Sequence, residues 1–153
     1  MAAAGYSGTP LARKLGYGTG PVWAPDMPAE VRHMIERDGP LTWAAPGTAT
    51  DAHLFVTDYA RLTTRLAQAM RCLPETGMIW VSWPKRASKV PTDVTEDRIR
   101  DAALPLGLVD VKVCAVDATW SGLKLVLRKE NRTGAATMAQ CDVPQENKEV
   151  PNG

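Results

Sequence analysis

Lys85-Arg86-Ala87-Ser88-Lys89 places three cations and a hydroxyl within five residues, directly behind the segment Met78-Ile79-Trp80-Val81-Ser82-Trp83. That segment is the most strand-like of the chain. If it is a central strand, these groups stand over its carboxyl end, where ligands of open α/β sheets dock. Ammonium, guanidinium and hydroxyl donors suit an anion, because charge-assisted hydrogen bonds are the strong ones. Thr92 and Asp93 close the far side of the loop. The helix expected behind Thr95 turns its free N–H groups toward the same region. The candidate ligand site is therefore Ser82, Trp83, Lys85, Arg86, Ser88, Lys89, Thr92 and Asp93. Its bland alternative is a solvated basic loop, with Trp83 in the core rather than stacked on a ligand. Trp120, in the turn Asp117 to Gly122, is the candidate contact for a protein partner, since an aromatic on a turn can anchor an interface.

Nucleophilic catalysis needs Ser or Cys beside a base and an orienting acid. Ser82, Ser88, Ser121, Cys72 and Cys114 are the candidates, and His33 and His53 are the only imidazoles. No nucleophile-elbow pattern surrounds these serines. His53 opens a strand and reads as a structural histidine, and Cys114 falls mid-strand as an inert thiol. No catalytic residue is assigned. The histidines and cysteines form no paired metal motif. Asp26, Asp51 and Asp58 would gather at strand ends, where carboxylates hold Mg²⁺ or ribose, but Asp58 already serves as a helix cap. Neither metal nor cofactor is expected.

The elements that must position these groups alternate along the chain. Thr9 and Pro10 start a short helix ending at Gly16. Val22-Trp23-Ala24 is a short strand cut off by Pro25. Pro28 starts a helix with the apolar stripe Val31, Met34 and Ile35. Leu41 to Ala45 forms a second short strand before the turn Pro46-Gly47. His53 to Thr57 is a nearly continuous apolar strand, as expected when both faces are covered. Tyr59, Leu62, Leu66, Ala69, Met70 and Leu73 then recur at helical spacing. Arg61, Arg65 and Arg71 lie off that stripe and read as a solvated face. Thr95 caps a helix carrying Glu96 and Asp97 in its first turn. Leu108 to Val116 and Leu123 to Leu127 alternate as half-exposed strands, and their short connection makes them antiparallel. The segments 1–8 and 132–153 read as a flexible N-terminus and a disordered tail around a single α/β domain, 9–131.

A chain of 153 residues with 44% apolar and 23% charged side chains fits one globular domain. A net charge of +1 gives no global field, so nucleic acid is not an expected partner. No apolar run approaches a membrane span, and Met1 to Gly5 lacks signal-peptide character, so a cytoplasmic protein is expected. Three widely spaced cysteines fit reduced thiols.

Alternating strands and helices ending in an antiparallel pair is similar to the second half of Rossmann-like methyltransferases. Those folds place a glycine loop directly after the first strand. Here Ala24-Pro25-Asp26-Met27-Pro28 follows it, without glycine. At the residue level the chain resembles a bacterial, mostly actinobacterial family catalogued as domain of unknown function 3052. The resemblance rests on Gly5 to Gly16, His53-Leu54-Phe55-Val56, Trp80-Val81-Ser82-Trp83-Pro84-Lys85 and Leu104 to Lys129. It implies no activity.

The expected fold is thus a Rossmann-like, mostly parallel sheet with helices on both faces and a C-terminal antiparallel strand pair. The expected function is a non-enzymatic binding or regulatory module meeting a small anionic ligand or a protein at the loop after the central strand. A methyltransferase-like enzyme with an atypical cofactor loop, or a subunit of a larger assembly, are the alternatives.

Overall fold

The computed structural model describes residues 10–18, 20–37 and 41–131. The segments 1–8 and 132–153, and Thr9 as a cap, lie outside these residues. Helix α1 (Leu11–Leu15) opens on Pro10 at φ −59°, already preset for a helix, and closes on Gly16 in the left-handed region at φ +58°. Strand β1 (Val22–Trp23) leads to α2 (Ala29–Glu36), whose buried residues are Val31 and Ile35. Strand β2 (Asp51–Phe55) is buried throughout and leads to α3 (Tyr59–Cys72). Strand β3 (Met78–Pro84), a 3₁₀ turn at Arg86–Ser88 and α4 (Glu96–Ala103) follow. Strands β4 (Leu108–Ala115) and β5 (Trp120–Leu127) close the domain.

The sheet is mixed, with strand order β1-β2-β3-β5-β4. β1, β2 and β3 are parallel, while β5 runs antiparallel to both β3 and β4. The last strand in sequence therefore inserts beside β3, and β4 forms the edge. That edge is irregular between Asp110 and Lys112, which breaks the regular ladder an incoming strand would need.

Three expected boundaries moved. The strand expected at Leu41 to Ala45 is a single bridge between Trp43 and Val22, because the Pro46-Gly47 turn leaves no length for a ladder. β2 starts at Asp51 rather than His53. β5 starts at Trp120 rather than Leu123, because the Asp117 carboxylate accepts from the N–H groups of Thr119 and Trp120 and tightens the turn. Cys114 is free.

Successive residues along the strands fall into two apolar clusters. Ala52, Leu54, Ile79, Val81, Trp83, Leu123 and Leu125 pack with Leu62, Leu66 and Ala69 of α3 and with Ile99 and Ala103 of α4. Phe55 and Trp80 pack instead with Leu11 and Leu15 of α1 and with Val31 and Ile35 of α2. Trp80 is fully buried, and its indole N–H donates to the Leu15 carbonyl at 2.8 Å. Gly122 sits opposite this ring, where an added Cβ would approach it to 3.1 Å. No helix among the described residues is long and apolar enough to cross a membrane.

Candidate functional site

A cavity of about 250 Å³ opens at the carboxyl ends of β1 and β2. It is lined by Asp26, Phe55, Val56, Thr57, Asp58, Arg61 and Trp120. Asp26 lies just past β1 and holds the left-handed conformation at φ +68°, a region that Asp enters more readily than most residues. Arg61 and Arg65, one turn apart on α3, both reach its Oδ2, at 3.5 Å and 3.0 Å. Arg65 also donates to Gln68 Oε1 at 3.0 Å and lies over the Trp23 ring, 5.8 Å from its centroid. The expected solvated basic face of α3 is thus a clamp on the loop after β1.

The N-terminus of α3 is already served by carboxylates. Asp58 accepts from the Arg61 N–H at 2.7 Å, and Asp93 accepts from the Tyr59 N–H at 2.9 Å. An anion entering the cavity would therefore depend on the Arg61 side chain rather than on those two amides.

No residue of the basic loop lines the cavity; the loop is tied at both ends to segments that flank or line it. The Lys85 N–H donates to the Thr119 carbonyl at 2.7 Å, beside Trp120. At the loop's other end, Thr92 Oγ1 donates to the Thr57 carbonyl at 2.6 Å and accepts from the Val94 N–H at 3.0 Å. Ser88 Oγ donates to the Lys85 carbonyl at 2.7 Å, and Lys89 takes the left-handed conformation that closes the turn. Ser88, Thr92 and Asp93 therefore hold the loop's shape. Arg86 and Lys89 are exposed and Lys85 is half-buried. The remaining two candidates go elsewhere. Trp83 packs in the cluster of α3 and α4, and Ser82 is fully buried. Trp120 is half-buried rather than exposed on a turn. Its ring stands edge-on to Phe55, with centroids 5.1 Å apart at 81°.

Behind Phe55 lies a buried polar chain. Tyr17 Oη is 2.5 Å from His53 Nδ1, and His53 Nε2 is 2.7 Å from Ser82 Oγ. A neutral imidazole has one N–H and one lone pair, so one hydroxyl donates to the ring and the other accepts from it. Burial pushes the His53 pKa down to about 3. Burial, with the Asp51 carboxylate next, holds the Tyr17 hydroxyl well above its usual range. The whole chain is uncharged at neutral pH. It contains a serine beside a histidine, but both side chains are closed to solvent, so no substrate reaches them.

Asp51 serves the opposite end of β2, accepting from the Gly18 and Met78 N–H groups at 3.1 Å and 2.9 Å. Of the three aspartates expected to gather, only Asp26 and Asp58 share the cavity. No group of three His, Cys, Asp or Glu among the described residues could hold a metal ion. Phe55 and Arg61 were outside the candidate set, and sequence signals for them were weak. Phe55 reads as another apolar strand residue, and Arg61 as one cation of a helix stripe.

These features define an α/β domain with a mixed five-stranded sheet and a cavity at its parallel strand ends. Residues 23–129 match the family model described as Protein of unknown function (DUF3052), and the chain belongs to that family. No curated protein matches the chain.

Proposed function

We propose that this chain is a non-enzymatic binding or regulatory module whose small anionic ligand enters the cavity at the ends of β1 and β2. The fold is read as Rossmann-like, with α1 and α2 on one face of the sheet and α3 and α4 on the other. In such folds the carboxyl ends of parallel strands are where ligands bind. A cytoplasmic location and an actinobacterial source belong to the same reading. The observation that carries it is the cavity itself, lined by Phe55, Trp120 and Arg61, with the loop Lys85 to Lys89 anchored beside it through the Lys85 N–H to Thr119. Lys85, Arg86 and Lys89 lie on that neighbouring loop, outside the lining, whose Asp26 is already paired with arginines. Asp58, the second lining carboxylate, is turned to the α3 N-terminus as its cap, which leaves Arg61 as the lining group to meet an anion.

A ligand that binds only the native state raises thermal stability by mass action. A panel of small mono- and dicarboxylates and inorganic phosphate should contain at least one that raises Tm in a saturable way. Replacing both Lys85 and Arg86 by Ala should weaken that response. An unchanged response in the double variant would remove the loop from the site.

The methyltransferase-like alternative draws on Asp26 and Asp58, which stand where a ribose could be held. Its difficulty is volume. A cavity of about 250 Å³ falls short of the ~300–1,000 Å³ that drug-sized ligands occupy. S-adenosylmethionine should therefore give no Tm shift, and a saturable shift would favour the enzyme.

A further inference from the structure

We infer that the ligand of this cavity is a compact carboxylate carrying a single flat unsaturated ring, with the ring against Trp120 and Phe55 and the carboxylate on Arg61. This rests on the anionic site proposed above and specifies its chemistry. Phe55 cannot yield to make room. His53 stacks on it with centroids 4.4 Å apart at 24°, and Trp120 meets it edge-on. The two rings form a fixed corner, which favours a flat, rigid ligand over a flexible chain.

Trp120 also brings a donor. The indole N–H groups of Trp80 and Trp43 are bonded to Leu15 O and Glu36 Oε2; those of Trp23, Trp83 and Trp120 have no partner among the described residues, and of these three only Trp120 lines the cavity. Arg61 is half-exposed, and its contact with Asp26 is long at 3.5 Å. Asp26 is held more closely by Arg65 at 3.0 Å, so Arg61 can turn its fork to a carboxylate without releasing the β1 loop. The volume admits one ring rather than a nucleotide.

Benzoate, acetate and benzamide test this as a set, with Tm and calorimetric titration as readouts. Benzoate should bind. Acetate, lacking the ring, and benzamide, lacking the charge, should each bind about tenfold more weakly, the cost of one stacking contact or one charged hydrogen bond. Arg61→Gln should lose about tenfold in benzoate affinity and Trp120→Leu about fivefold. Far-UV spectra and melting curves without ligand establish that both variants fold. Acetate binding as tightly as benzoate overturns the ring and leaves the anionic site standing. Benzamide binding as tightly as benzoate overturns the anionic site. Benzoate affinity unchanged in both variants places its site elsewhere and overturns the inference. No binding of any of the three overturns the inference, while the carboxylate and phosphate panel still decides the anionic site.

Discussion

His53 Nε2 lies 2.7 Å from Ser82 Oγ, diagonally across β2 and β3, where His53 stands opposite Trp80 and Ser82 opposite Phe55, and neither side chain reaches solvent. The pair joins two parallel strands by side chains where the backbone ladder already joins them. Tyr17 extends it to the segment behind α1. A serine–histidine contact is more often discussed as chemistry. Here it is a buried crosslink that fixes the ring supporting Phe55.

The crosslink makes stability depend on pH. In the native state the His53 pKa is lowered to about 3, against about 6.5 when unfolded. The unfolded chain therefore takes up a proton below pH 6.5 that the native chain refuses. Stability is fully present above pH 6.5, falls as pH drops toward 3, and is lower by about 2 kcal/mol at pH 5. Urea denaturation from pH 7.5 to 4.5 should show this loss. His53→Gln should be less stable at pH 7 yet show a flatter profile. Parallel profiles for the two proteins would mean that His53 titrates normally in the native state.

Asp26 separates backbone strain from ion pairing. Asp26→Asn tolerates the left-handed conformation and should cost about 1 kcal/mol or less, the usual worth of exposed pairs. Asp26→Ala should cost a further ~1 kcal/mol, because Ala is disfavoured at positive φ. Equal losses in urea denaturation would show that the conformation is not maintained.

Gly77 and Gly122 both lie close to neighbours, but of different kinds. A Cβ at Gly77 would sit 2.2 Å from the backbone oxygen of Thr50, whereas at Gly122 it meets the Trp80 ring at 3.1 Å. Gly77→Ala should therefore cost about 3 kcal/mol, since backbone must move, and Gly122→Ala about 1 kcal/mol. Melting of the two variants orders them. A reversed order would contradict the packing of Thr50 against the turn before β3.

Thr92→Val removes the donor to Thr57 and the acceptor for Val94, at a cost of about 1 kcal/mol. The Val94 amide should exchange with solvent faster, while amides of β3 should not. Uniform acceleration would mean that the loop is integral to the core rather than hinged on this contact.

Much of the fold was legible from local pattern. The apolar spacing of Leu62, Leu66 and Ala69, the caps Asp58 and Thr95, and the run from Met78 to Trp83 depend on near neighbours in the chain. The antiparallel pairing of β4 with β5 followed from a connection too short to cross the sheet. The insertion of β5 beside β3 did not, because strand order is decided by burial across the whole sheet. The site suffered more. The neighbouring loop was visible as a run of cations, but the cavity's lining comes from Asp26, Phe55, Arg61 and Trp120, which meet only in three dimensions. The Arg61 and Arg65 pairs with Asp26 cross more than thirty residues of chain, and charge periodicity alone could not separate them from a solvated face. Ser82 and Trp83 were misplaced for a related reason. In a strand covered on both faces, a side chain near the carboxyl end is as buried as its neighbours.

The central claim is that ligand enters beside Trp120, and the chain's five tryptophans provide the probe. Each indole N–H gives its own signal in a ¹⁵N–¹H spectrum, and Trp120→Phe identifies the relevant one by its loss. On titration with benzoate, the Trp120 indole signal should shift saturably, while that of Trp80, bonded to Leu15 O, should stay in place. A Trp120 signal that stays in place while benzoate binds contradicts the account.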